Sequence, residues 1–152
     1  MVCLGNICRS PLAEGILEQK IKKAGLDWAV DSAGTNGYHV GENPHYLSQK
    51  VAKKNGIDIS KQLCRHFVKK DFDRYDKIYA MAADIIDEIK FIGGNKYDAS
   101  KVFLLLNECF PGENRNISDP WYGPEKGYHE VYALIEKACE AIVPKAAVGS
   151  LS

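Results

Sequence analysis

Val2-Cys3-Leu4-Gly5-Asn6-Ile7-Cys8-Arg9-Ser10-Pro11 starts as an apolar step, breaks at Gly5-Asn6 and resumes at Ser10-Pro11. Ser before Pro is a helix start, with Ser as the cap and Pro in the first helical position. An amphipathic stretch follows from Leu12 to about Lys23 and ends at Gly25. A strand, a turn and a helix thus follow one another within a few residues, and the same alternation recurs downstream. Trp28–Val30 reads as a short strand, followed by a loop from Gly34 to Asn43. Pro44–Lys54 has a helical pattern that stops at Asn55-Gly56, and Tyr75–Met81 is a further strand candidate. Ala83–Ile92 reads as a helix, Val102–Leu106 as a strand, and Tyr128–Ile142 as a closing helix with apolar residues at 131, 134, 135, 138, 141 and 142. Between the last two lies Phe110–Gly127, rich in Pro, Gly, Asn and Asp, a loop long enough to suggest a functional role. Strands alternating with helices predict an α/β fold with a parallel sheet covered on both faces. Ligands of such sheets bind at the carboxyl ends of the strands, and the first such end is Cys3–Ser10.

The bulk properties agree with one enzyme-sized domain spanning residues 1–152. At this length roughly 70% of the unfolded chain's surface is buried on folding, enough for a core without disulfides. Hydrophobic residues make up 45% and charged residues 26%, and the 20 Lys and Arg balance the 20 Asp and Glu. That balance argues against nucleic-acid or membrane partners. No apolar run reaches the length of a membrane span, and Asn6 and Arg9 interrupt any signal-peptide pattern at the start, so a cytoplasmic protein is expected. Five cysteines (Cys3, Cys8, Cys64, Cys109 and Cys139) form no CxxC pair, which argues against a disulfide framework and a zinc site.

Cys3 to Ser10 has the form C-x5-R-S between a strand and a helix. Successive backbone N–H groups in such a loop form a nest for an anion, and the following helix adds its positive end. Gly5 lets the backbone turn close to a ligand, and Asn6 tolerates a left-handed conformation. Ile7 and Cys8 complete the nest, and Arg9 supplies a planar fork of donors matched to phosphate oxygens. A cysteine in this field is expected to be largely thiolate, with Ser10 donating a hydrogen bond to it. Taken alone, C-x5-R arises often by chance and a lone Cys is usually a small hydrophobe. The strand before it, Gly-Asn within it and Ser-Pro after it make the phosphate loop the better reading.

A thiolate that attacks a phosphate ester needs a proton for the departing oxygen. His39, His45, His66 and His129 show no evident arrangement in the sequence, whereas Asp119-Pro120-Trp121-Tyr122-Gly123 sits in the long loop. Pro120 stiffens the chain after the candidate acid Asp119, and Trp121 and Tyr122 offer flat surfaces to an aryl group. Asp-Pro and Tyr-Gly are also ordinary turn formers, and only the phosphate loop tips the balance toward a catalytic role.

VCLGNICRSPLAE, DSAGT at 31–35, YHVGENP at 38–44 and DPWYG at 119–123 together resemble the low-molecular-weight protein tyrosine phosphatases, from Val2 to about Pro144. The resemblance implies a four-stranded parallel sheet with helices on both faces. It also implies hydrolysis of phosphotyrosine or other aryl phosphate monoesters through a phosphocysteine, without metal or cofactor. Its partners would be a phosphotyrosine protein or a small aryl phosphate; weak self-association is a further expectation. Position by position, Cys3 matches the nucleophile, Arg9 the phosphate-binding arginine and Asp119 the general acid. Asn6 and Ser10 match residues that hold the loop and the thiolate. Leu4, Tyr38, Trp121 and Tyr122 match walls of the cleft, and Tyr122 also matches a tyrosine phosphorylated in some members. Cys8 matches a second loop cysteine able to form a disulfide with the nucleophile.

Two features depart from the family pattern. Met81 is followed by Ala82, where the family commonly carries Asp or Thr, and only Met1 and Val2 precede Cys3, where about five more residues usually form a central strand. A first strand this short is expected to leave the sheet incomplete. It would be completed by upstream residues, by the C-terminal segment Ala146–Leu151, or by a swapped partner chain. Two rival functions remain at this level: a thioredoxin-coupled arsenate reductase, which needs two further cysteines close together, and a non-catalytic phosphate-binding module, which needs neither nucleophile nor acid.

Overall fold

The computed structural model describes residues 1–147. Four parallel strands, β1 (Val2–Cys3), β2 (Ala33–Gly34), β3 (Ile78–Ala80) and β4 (Val102–Leu104), form one sheet in the order β2-β1-β3-β4. Five α-helices accompany them: α1 (Arg9–Ala24), α2 (Tyr46–Lys54), α3 (Asp71–Arg74), α4 (Ala83–Gly93) and α5 (Glu125–Ala147). The period of two along a strand divides the core. Cys3, Tyr79 and Met81 pack with α1, α2 and α5 on one face, around Leu12, Ile16, Val51, Ile135 and Cys139. Val2, Ile78 and Ala80 face the other way, onto Phe67, Phe72 of α3, and Ile85 and Ile89 of α4. Helices therefore cover both faces, as the alternation of elements implies.

The strands are shorter than their sequence patterns. Trp28–Val30 is not a strand; β2 begins only at Ala33. Of the strand candidate Tyr75–Met81, only Ile78–Ala80 is strand, and Val102–Leu106 turns into a 3₁₀ segment at Leu105. The cause lies in the central strand. β1 pairs Val2 with Ala33 and Cys3 with Gly34 on one side, but only Val2 with Ala80 on the other. β3 is fully paired with β4, Ile78 to Val102 and Tyr79 to Phe103, yet has no β1 residue opposite Ile78 or Tyr79. Without a partner in the middle, Trp28–Val30 has no ladder to join.

Val2–Cys3 nevertheless holds the central position. Ala33 N–H donates to Met1 O at 3.0 Å, Met81 N–H to Val2 O at 3.0 Å, and the Met1 amine to Asp31 O at 3.0 Å. Burial pushes the pKa of that amine down, opposed by the charges of Glu14 and Asp31. At this amino-terminal end of the sheet, away from the phosphate loop, a cavity of about 780 Å³ opens between Trp28, Val30, Ile78, Tyr79 and Phe103. The alternative that places Ala146–Leu151 in the sheet falls, beyond Ala147, outside the described residues.

The cavity makes a prediction about stability. Five or six apolar residues fused ahead of Met1 would continue β1 between β3 and the 27–31 segment and replace a buried amine by an amide donor. Burying even two of their side chains contributes about 3–6 kcal/mol, which raises Tm by roughly 6–24 °C for a domain of this size. Differential scanning calorimetry of the chain with and without the extension checks this; equal Tm values would show that the residues already present complete the sheet.

Candidate active site

The phosphate loop is held from outside by almost every carbonyl it has. Thr35 N–H donates to Cys3 O at 3.0 Å, Asn36 N–H to Leu4 O at 2.9 Å, and His45 N–H to Ile7 O at 2.8 Å. The Cys64 thiol donates to Asn6 O at 2.7 Å and Ser48 Oγ to Cys8 O at 3.0 Å. No cis peptide occurs among the described residues, and in a trans peptide the N–H points opposite to the C=O. With these carbonyls turned outward, the amides of Leu4, Gly5, Ile7, Cys8 and Arg9 turn inward, over Cys3. This is the anion nest in atomic terms, and α1 starts at its end.

Two residues make the turn feasible. Asn6 has φ 55° and is 1% exposed, its side chain fully used: Oδ1 accepts from Arg65 N–H at 3.0 Å, and Nδ2 donates to Ser10 Oγ at 2.8 Å and Ser32 Oγ at 2.9 Å. Gly34 lies so close behind the loop that a Cβ there would sit 2.8 Å from Leu4 O, Gly5 C and Asn6 N. Ser10 Oγ lies 3.0 Å from Cys3 Sγ. It is not the helix cap: α1 begins at Arg9, its capping position is Cys8, and no side chain caps it. The Ser10 hydroxyl is committed to Cys3 and Asn6 instead.

Arg9 is 5% exposed and reaches across to the long loop. Its Nη1 donates to Ile117 O at 2.9 Å, and its Nη2 lies 3.7 Å from Asp119 Oδ2. Asp119 Oδ1 accepts from Trp121 N–H at 3.1 Å, the turn that Asp-Pro favours, and here it aims the other carboxylate oxygen at the phosphate loop. Ile117 N–H donates to Met81 O at 2.9 Å, so the acid loop is pinned to the carboxyl end of β3. Ala82, which lacks a capping side chain, is compensated by the same loop: Asn116 Oδ1 accepts from Ala83 N–H at 2.8 Å at the start of α4. Leu4, Tyr38 and Tyr122 are exposed around the rim, and Trp121 is half-buried.

A family model described as low molecular weight phosphotyrosine protein phosphatase matches residues 1–150. The chain belongs to that family. It is 35% identical over 146 residues to the low molecular weight phosphotyrosine protein phosphatase of Gallus gallus, covering 95% of this chain and 92% of that one. To YfkJ, the low molecular weight protein-tyrosine-phosphatase of Bacillus subtilis, it is 36% identical, covering 93% and 90%. Among solved structures, the Entamoeba histolytica protein tyrosine phosphatase with Hepes in its active site superposes with a TM-score of 0.88 at 35% identity, covering 99% of this chain and 96% of that one. Vibrio vulnificus Wzb in complex with benzylphosphonate gives 0.85 at 25% identity.

The phosphatase site also contains residues that sequence reasoning passed over. His39 closes on the loop, within 3.2 Å of where a Cβ on Gly5 would stand, and its ring tilts against Trp121 with centroids 5.3 Å apart. His45 caps α2 by accepting from Leu47 N–H at 3.1 Å and packs edge-on against Trp121 at 5.2 Å and stacked on Tyr128 at 5.2 Å. Burial and the neighbouring His39 push its pKa down, which keeps the imidazole neutral and able to accept. Two histidines thus pack against Trp121, a contact with no short-range signature. Tyr128 OH lies 3.6 Å from Cys8 Sγ, and burial pushes the Cys8 thiol up to about 12. Burial likewise pushes the Cys64 thiol up to about 11. Both stay protonated near neutral pH. Among the described residues no group of three His, Cys, Asp or Glu could hold a metal ion, and no helix is long and apolar enough to cross a membrane.

Proposed function

We propose that this phosphatase hydrolyses phosphotyrosine and related aryl phosphate monoesters, with Cys3 as nucleophile, Arg9 as phosphate clamp and Asp119 as general acid and base. The observation that carries the reading is the placement of one thiol under a ring of inward amides with a carboxylate 3.7 Å from the clamping arginine. The Cys3 thiolate attacks phosphorus in line. The S–P bond forms as the P–O bond to the leaving group breaks, and Asp119 delivers its proton to the departing oxygen. The inward amides of Leu4, Gly5, Ile7, Cys8 and Arg9 and the Arg9 guanidinium hold the three equatorial oxygens as charge develops, which is usually the largest catalytic contribution of such sites. Asp119, now a carboxylate, takes a proton from the water that attacks phosphorus, and the S–P bond breaks to return the thiolate. A non-catalytic phosphate-binding module would need neither this thiol nor this acid. Cytoplasmic residence and weak self-association are part of the same proposal; the five free cysteines support the first.

Leu4, Tyr38, Trp121 and Tyr122 select the substrate. Aromatic contacts with the leaving group add about 0.5–1.5 kcal/mol per pair beyond area burial, or about 2- to 12-fold in kcat/KM. Phosphotyrosine peptide is therefore expected to exceed phosphoserine peptide, and Trp121→Ala to narrow the gap by that factor. Parallel assays of an aryl phosphate, an alkyl phosphate and arsenate test the activity itself. Equal kcat/KM for the two peptides, or arsenate reduction in place of aryl phosphate hydrolysis, would overturn the assignment.

A further inference from the structure

Cys3 does not end its hydrogen bonding at Ser10. Ser10 Oγ meets Asn6 Nδ2 at 2.8 Å, Asn6 Nδ2 meets Ser32 Oγ at 2.9 Å, and Ser32 Oγ meets Glu14 Oε1 at 2.7 Å. The direction of every bond can be worked out from what each atom is able to do. A carboxylate only accepts, so Ser32 donates its one hydroxyl proton to Glu14. Arg65 N–H only donates, so the Asn6 oxygen faces it at 3.0 Å and the Asn6 NH₂ faces the two serines. Ser32 Oγ then accepts one Asn6 proton, and Ser10 Oγ accepts the other. The Ser10 proton has a single destination left, the sulfur of Cys3 at 3.0 Å.

We propose that Glu14 is a positioning residue for the nucleophile: as the terminal acceptor of this chain it holds Ser32 and Asn6 so that Ser10 donates to the Cys3 thiolate. Glu14 stands on the first turns of α1, half-buried, while Ser32 precedes β2, so the contact also ties the helix behind the phosphate loop to the neighbouring strand. Burial and the charges of Asp31 and Glu18 push the Glu14 carboxyl pKa up, opposed by the Ser32 hydrogen bond and the Met1 amine. Without an acceptor at position 14, the buried Ser32 hydroxyl has no partner for its proton. Asn6 presents only donors to it, and apart from Asn6 and Glu14 no described side chain is bonded to it. Ser32 then has to turn away and release Asn6. Asn6 is the one loop residue held in the left-handed region by its side-chain contacts, so the disturbance passes directly to Ser10 and Cys3.

The inference rests on Cys3 being the nucleophile, and the test separates the two. The rate of Cys3 alkylation by iodoacetamide is followed against pH, site-resolved by mass spectrometry, beside kcat and KM for an aryl phosphate. Glu14→Leu, and independently Ser32→Ala, should move the alkylation profile toward higher pH. The rate on its acid limb should fall about threefold to tenfold, the worth of one net hydrogen bond, and the alkaline plateau should stay unchanged. kcat should fall by a similar factor with KM nearly constant. Glu14→Gln, whose Oε1 still accepts from Ser32, should restore both. In a Ser10→Ala background, Glu14→Leu should add nothing further, because its route to Cys3 is already cut. An unmoved profile in both Ser32→Ala and a folded Glu14→Leu would overturn the inference, as would an undiminished effect in the Ser10→Ala background. Should Glu14→Leu not fold, Ser32→Ala and Glu14→Gln decide alone. Absence of selective Cys3 alkylation in the parent protein would instead overturn the assignment of the nucleophile.

Discussion

Cys3→Ser is expected to abolish turnover, a loss on the order of 10⁴–10⁶ in kcat, while phosphate and vanadate still bind. The substitution is nearly isosteric, and the anion site it leaves is built from other groups. The inward amides are held by Thr35, Asn36, His45, Ser48 and Cys64, and the guanidinium by Ile117. None of these contacts involves the sulfur. A serine hydroxyl, in contrast, ionises many orders of magnitude less readily than a thiol, and its neighbour Ser10 can only donate to it or accept from it. No general base stands beside it to take its proton; Asp119 faces Arg9 and the leaving-group side. Binding and chemistry therefore come apart. Isothermal titration with vanadate should give a dissociation constant close to that of the parent, and acid quench during turnover should trap phosphoprotein in the parent alone. Full activity in Cys3→Ser would remove the phosphocysteine mechanism outright.

The phosphate loop was legible in the sequence because its chemistry is local. Cys3, Gly5, Asn6, Arg9 and Ser10 lie within eight residues, and the strand before and the helix after are each announced by neighbours. Asp119 was legible only by association, since Asp-Pro-Trp-Tyr-Gly is also a turn; what joins it to Cys3 is the Arg9 reach to Asp119 and, across 108 positions, to Ile117. Strand lengths were less legible. Trp28–Val30 and Tyr75–Met81 carry strand signals, but a strand exists only where a partner offers hydrogen bonds, and β1 pairs with β3 only at Val2. Ser10 misled as a helix cap, because Ser-Pro at a helix start has that meaning unless a thiol and an amide claim the hydroxyl. The helix after the acid loop starts at Glu125, three residues earlier than the apolar spacing indicates, since its first turn is polar and anchored by Lys50 and His129 to the Glu125 carboxylate. Glu14, Ser32, His39 and His45 carry no local signal at all; their roles arise from distances that only the fold sets.

Asp119→Ala is expected to lower kcat for phosphotyrosine by about 10²–10⁴ with KM nearly unchanged. The geometry indicates why the loss belongs to chemistry rather than to folding. The acid loop is anchored at Ile117, whose N–H bonds to Met81 O and whose carbonyl accepts from Arg9, and both bonds survive removal of the Asp119 carboxylate. Pro120 is buried and keeps the chain direction, and Trp121 remains packed against His39 and His45. What disappears is the proton for the departing oxygen and the turn bond from Trp121 N–H. A leaving group that is stable as an anion does not need that proton. The loss in kcat/KM, which reports the step that expels the leaving group, should therefore be largest for alkyl and tyrosyl phosphates and shrink toward unity for a nitrophenyl phosphate, whereas kcat also carries the loss of the base in the hydrolysis step. Asp119→Asn separates the two contributions: its Oδ1 can still accept from Trp121 N–H, yet it carries no transferable proton, so its kinetics should match Asp119→Ala. Rates that fall equally for every leaving group, or an Asp119→Asn variant that retains parental kcat, would show that Asp119 shapes the loop and does not deliver the proton.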